Sequence, residues 1–258
     1  MKNASVDNKS IGRDLCTLAR LLLEYQLCKD VSPLDNAGQC CMYLPDTAVW
    51  EYDLGKISFK IDEVGGKIPF NASDIYASLS IGIKGAKNLS TPPVSDPLTH
   101  LVFDLEIEGL RENKEKSDFD SLYSSWHLDR HIFGSEDGKT KYSHPIYHFT
   151  FGGNKMEDKG NIFGDCLILP SPRISYPPMD AILGIDFILQ NYINKNKISG
   201  IISDPTYIDI VIRAQERVQK PYFLAIASYW NNELISNSNF HINTDKKFGH
   251  KDLFPLLY

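Results

Sequence analysis

The sequence predicts an α+β fold with an N-terminal helix, a mainly antiparallel sheet of about six to seven strands, and C-terminal helices packed on one side of it. Three observations carry this. Apolar residues recur at helical spacing near the start, short alternating runs broken by turn residues fill the middle, and helical patterns with cap signals return after Pro177. The expected organisation is a single domain over 1–258: the N-terminal helix to residue 30, a β-rich region over 31–176, a helical region over 177–235 and a polar tail over 236–258.

Within residues 10–28, Ile11, Leu15, Leu18, Leu22 and Tyr25 fall three and four apart, one buried stripe of a helix. From Val31 onward the texture reads as strands: "MYLPDTAVWEYDL", "KISFKID", "DIYASLSIGIKG", "LVFDLEIEGL", "SSWHLDRHIF", "PIYHFTFGG" and "DCLILPSPRI". Between them, "NLSTPPVSDP" and "RENKEKSDFD" (111–120) read as exposed loops. "PPMDAILGIDFILQNYINKN" is too long and too evenly apolar for a strand and reads as a buried helix. Asp180 caps its start, and Asp186 inside it calls for an arginine or lysine partner. "SDPTYIDIVIRAQERVQK" then opens with Ser203 or Asp204 as N-cap and Pro205 in the first turn, and Pro221 is expected to end it.

The totals narrow the function classes. A net charge of −6 argues against a surface that binds nucleic acid by bulk electrostatics. No apolar run approaches the ~20 residues that span a bilayer, so no membrane association is expected. Five cysteines, an odd number with Cys40 and Cys41 adjacent, do not form a disulfide framework, and the N-terminal residues lack a signal-peptide core. The expectation is a reduced, cytoplasmic protein in which Cys166 is a small buried residue.

The stretch from Ser124 to Gly153 holds four of the seven histidines: His127, His131, His144 and His148. "FGSEDGK" is turn chemistry, so the flanking runs should pair as a hairpin. Strand alternation puts His127, Asp129 and His131 on one face of the first strand. Tyr142, His144 and His148 share a face of the second. Folding about Glu136–Asp137 sets His131 near Tyr142 or His144, and His127 near Ile146 or His148. Trp126 and Phe149 point the other way. The carboxylates of "LVFDLEIEGL", Asp104, Glu106 and Glu108, either extend this face or form a solvated sheet surface.

Three chemistries suit such a cluster. His127, His131, His144 and His148 are candidate ligands for a divalent metal, zinc or manganese, with Asp129 beside them. Without a metal, two imidazoles serve as base and acid in phosphodiester transfer, with Asp129 orienting one of them. In either case Trp126, Tyr142 and Arg173 are candidate substrate-binding residues, Arg173 for phosphate. Alternatively, the aromatic residues among the histidines form a binding surface.

The runs "HPIYHFTFGG" and "LILPSPRISYPPMDAILGIDFILQNY" resemble an uncharacterised bacterial domain-of-unknown-function family associated with mobile elements and phage defence, over roughly residues 120–195. The histidine-rich hairpin is also loosely similar to toxins of toxin–antitoxin modules. The domain-of-unknown-function family brings no established activity. The toxin-like similarity favours nuclease chemistry, and the even spacing of the histidine cluster leads to the expectation of a nuclease or phosphodiester hydrolase of a defence or toxin-type system, acting on RNA or DNA. His127 and His148 would be its acid–base pair, and His131 and His144 would assist or bind metal. The alternative is a non-catalytic accessory subunit whose N-terminal helix (Ile11–Leu27) or C-terminal helices dock an ATPase or another defence-system protein.

Overall fold

The computed structural model describes residues 7–45, 49–61, 69–86, 98–113, 118–130, 145–152, 156 and 174–224. Helix α1 spans Asn8–Glu24, and the Asp7 side chain caps it by accepting from the Lys9 amide at 3.2 Å. Its stripe of Ile11, Leu15, Leu18 and Leu22 is buried in the core. Helix α2, Ser32–Tyr43, occupies the start of the region expected to be β-rich. Pro33 in its first turn and Leu34, Ala37 and Cys41 on its buried side were the overlooked signals.

The two helices cross at glycines. A Cβ on Gly12 would lie 2.5 Å from the Gly38 carbonyl oxygen, and one on Gly38 would lie 2.8 Å from that of Gly12. Backbone cannot yield as a side chain does. Gly12→Val is therefore expected to lower stability by about 1–3 kcal/mol, read as a reduced urea midpoint with an unchanged slope.

The sheet runs β1 Val49–Ile61, β2 Ser73–Ala86, β3 Leu98–Asn113, β4 Asp118–Arg130, β5 Tyr147–Phe151 and β6 Ile174–Ser175. Each strand pairs antiparallel with its neighbour in the sequence, in the order β1-β2-β3-β4-β5-β6. Two of the expected runs are one strand. β1 passes through Asp53–Lys56 with a bulge between Leu54 and Ile57, which returns Ile57 to the same face as Leu54. The ends of the expected loop 111–120 are strand: β3 extends to Asn113 and β4 begins at Asp118, with Arg111 paired to Asp120 at 2.8 Å, while 114–117 lie outside the described residues.

One face of the sheet is apolar and carries Trp50, Phe59, Leu79, Phe103, Leu128 and Tyr147 into the core. Helix α3, Ala181–Tyr192, lies against it so closely that a Cβ on Gly184 would fall 2.6 Å from the Phe103 ring. Asp180 is the N-cap, as expected, and accepts from the Ile182 and Leu183 amides, both at 3.1 Å. Asp186, expected to need a basic partner, instead accepts from the Tyr207 hydroxyl at 2.8 Å and from Gln190. A half-buried carboxylate is satisfied by neutral donors as well as by a cation. Burial and the nearby Asp186 charge raise the Tyr207 phenol well above its ordinary value.

Helices α4, Lys195–Ile202, and α5, Pro205–Ala214, follow. Asp204 caps α5, with Pro205 in its first turn, as the sequence indicates. Pro221 does not end this element. A π turn over Gln215–Gln219 precedes it and the chain stays helical over 220–224. The wider turn lies where a proline ring would crowd the carbonyl four residues back.

The Asp204 carboxylate accepts from the Tyr25 hydroxyl at 3.0 Å and the Thr206 amide at 2.7 Å, which hold its pKa below the ordinary 3.8. A depressed carboxyl contributes stability in full above its unfolded value and loses it as pH falls through the lower folded one. In Asp204→Asn, the acid-induced fall of the urea midpoint below pH ~4 should be shallower than in the parent.

A buried charge network ties the helices together. The Arg217 guanidinium donates to Asp180 at 2.7 Å and lies 3.7 Å from Asp14 of α1, while Arg213 donates to Asp14 at 2.8 Å. The Tyr52 hydroxyl of β1 accepts from the Ala181 amide at 3.0 Å beside them. Burial opposes the Arg217 charge, yet the carboxylates raise its pKa overall. Burial and Asp180 push the Tyr52 phenol well up, so it stays protonated.

Candidate metal centre

The second face of the sheet is polar, and its rows can be read from the strand register. Asp104 on β3 lies opposite His127 on β4, which lies opposite Thr150 on β5. In the next row Val102, Asp129, His148 and Ser175 follow one another across β3 to β6. His127 and Asp129 are two apart on one strand, so alternation alone puts them side by side. His148 faces Asp129 directly and His127 diagonally, within the reach of long side chains across a sheet.

The ligand-capable atoms of His127, Asp129 and His148 all lie within 4.8 Å of one another. The His127 Nε2 is 3.7 Å from the Asp129 Oδ2, and the two imidazoles meet edge to face with centroids 6.1 Å apart. A tetrahedral ion with bonds of about 2.0–2.1 Å holds its ligands about 3.4 Å apart. His148 is buried at 5% exposure, whereas the Asp129 side chain is 36% exposed, so the cluster opens to solvent on one side.

Thr150 adds a polar atom the sequence reading did not single out. Its hydroxyl is buried on this face opposite His127 and has no hydrogen-bond partner among the described residues. A buried hydroxyl of this kind usually marks a position for a water or ligand atom. The signal was its spacing, two residues beyond His148. Ser125, also buried here, instead donates to the Gly152 carbonyl at 3.1 Å.

The expectation that the carboxylates of β3 continue the histidine face is met in position by Asp104. Glu106 and Glu108 lie farther along and share Lys56, at 3.1 and 2.8 Å. The even spacing of His127, Asp129 and His148 put them on one face, although the register is displaced from a fold about Glu136–Asp137: Thr150, not Ile146 or His148, opposes His127. Displacement by an even number of residues keeps the faces. Trp126 stands on the opposite face, stacked on Phe149 at 5.0 Å and packed against the core. His131, His144, Tyr142, Arg173 and Cys166 lie outside the described residues.

Cys16 and Cys28 are not nucleophiles by environment. Burial and Asp35 push Cys16 up to about 11, and burial raises Cys28. Among the described residues, no helix is long and apolar enough to cross a membrane. No protein-family model, curated protein or solved structure matches the chain.

Proposed function

We propose that the protein is a divalent-metal-dependent phosphodiester hydrolase whose ion is held by His127, Asp129 and His148. The observation that carries this is the convergence of two imidazoles and one carboxylate within 4.8 Å on neighbouring strands. Two histidines and a carboxylate are a donor set for zinc or manganese, and three protein ligands leave a coordination position open. An ion bound there lowers the pKa of a coordinated water and polarises a phosphoryl oxygen. Asp104 faces His127 from the next strand, where a carboxylate orients a ligand imidazole, and the Thr150 hydroxyl lies on the other side. RNA or DNA is the substrate of this reading, and its setting in a bacterial defence or toxin-type system rests on the resemblance of residues 120–195.

The test is metal analysis of the purified chain after equilibration with Zn²⁺ or Mn²⁺, followed by hydrolysis assays on single-stranded and duplex oligonucleotides. About one equivalent of metal, with cleavage lost on chelation, is the expected result. Absence of bound metal sinks the metal centre. Cleavage that persists in chelator but is lost in His127→Ala and His148→Ala replaces it with metal-free acid–base catalysis.

A second reading is a subunit that docks a partner protein such as an ATPase. The apolar stripe of α1 is consumed by the core, but Ile208 and Ile212 on α5 are 42% and 46% exposed one turn apart. A stoichiometric partner, lost in Ile208→Glu/Ile212→Glu and retained in His148→Ala, would select this reading.

A further inference from the structure

Four side chains of the polar face form a square across β4 and β5, with His127 opposite Thr150 and Asp129 opposite His148. Opposed Cβ atoms in such a block stand about 4.5–5.5 Å apart, and residues two apart on one strand about 6.6–6.8 Å. Three corners carry the donors of the proposed metal centre, and the fourth carries Thr150. Threonine suits a strand by its branched Cβ, but valine would serve that purpose without a hydroxyl. Here the hydroxyl is a cost: Thr150 is 7% exposed, and its Oγ1 has no hydrogen-bond partner among the described residues. The hydroxyl of Ser125, two residues before His127, is satisfied by the Gly152 carbonyl at 3.1 Å. His127 turns its Nε2 along β4 toward Asp129, at 3.7 Å, rather than across to Thr150.

The reach of this hydroxyl is short. It sits directly on Cβ, whereas the imidazole and carboxylate donors stand farther from the sheet. A neutral hydroxyl is also not among the usual zinc donors, Cys, His, Asp and Glu. Thr150 therefore stops short of an ion bound at the level of the three donors and meets whatever fills the coordination position they leave open. We propose, resting on the metal-centre reading above, that Thr150 is a positioning residue: its hydroxyl donates a hydrogen bond to the small ligand in that open position. That ligand is water or hydroxide when the ion serves hydrolysis, or a small anion in its place. It lies toward β5, where Thr150 and His148 exclude solvent, while the partly exposed side chains of His127 and Asp129 leave the β4 side open to a substrate. A hydrogen bond to a charged ligand is stronger in such a place than in water.

Azide binding to the Co²⁺-loaded full chain, read from the visible absorption of the ion, tests this apart from any hydrolysis. Azide should bind the parent. Thr150→Val should keep its Co²⁺ and weaken azide about tenfold or more, as expected for loss of a hydrogen bond to a charged group. Thr150→Ser should restore the affinity. Failure of the parent to bind Co²⁺ overturns the metal-centre reading and this assignment together. Co²⁺ binding with equal azide affinity in parent and Thr150→Val overturns the assignment alone, as does azide that leaves the parent spectrum unchanged. Loss of Co²⁺ from Thr150→Val overturns it too, since the threonine would then hold the ion rather than its fourth ligand.

Discussion

His148→Ala is expected to lower Zn²⁺ or Mn²⁺ affinity by about 100-fold or more, since even loss of an outer partner of a ligand costs 10–100-fold. Hydrolysis should fall with it. The argument is geometric. His127 and Asp129 come from one strand, and the third donor comes from the strand beside it. Removing His148 leaves two donors on one edge, too few to hold a hydrolytic ion with an open position. Asp104→Asn tests the outer position and should cost less, within 10–100-fold, because it alters how His127 is oriented without removing a ligand. Competition titration against a chromogenic chelator reads both. Equal affinities in parent and His148→Ala would remove the metal centre from consideration, whatever the effect on activity.

Arg217→Ala is expected to destabilise the protein by about 3–5 kcal/mol, the usual result of breaking a buried ion pair from one side. Asp180 is fully buried, and its 2.7 Å bond to Arg217 supplies the cationic partner that accompanies the two amides it caps. Without the guanidinium, a desolvated carboxylate remains at the start of α3. The double variant Asp180→Asn/Arg217→Met should recover much of the loss, because asparagine still caps a helix and the methionine fills apolar space. Urea unfolding of the two single variants and the double variant gives the coupling directly. Additive losses would show that the pair acts through packing rather than charge.

The parts of this molecule legible in the sequence are those in which local pattern and tertiary contact agree. β3 alternates cleanly because one face is core and the other polar, and Asp204-Pro205 announces α5 because both residues act within one turn. α2 was missed because Cys40, Cys41 and Tyr43 carry little helix propensity, and its glycine serves a crossing that only the fold reveals. Alternation placed His127, Asp129 and His148 on a common face, but which strand residue opposes which depends on the length of the connection, and composition does not set that. The spacing of Thr150, two residues beyond His148, places it on the same face, but that its buried hydroxyl lies opposite His127 depends on the neighbouring strand, for which a single sequence holds no periodic signal.

The Asp14 contact has a consequence for biosynthesis. Its carboxylate is almost wholly shielded from water, and the arginine that binds it at 2.8 Å, Arg213, lies 199 residues later. At ribosomal rates of roughly 5–20 residues per second, about 10–40 s separate the emergence of the two. During that interval α1 can form its turns but cannot bury Asp14 without stranding a charge. The nascent N-terminal half therefore stays open on that side until Arg213 and Arg217 arrive.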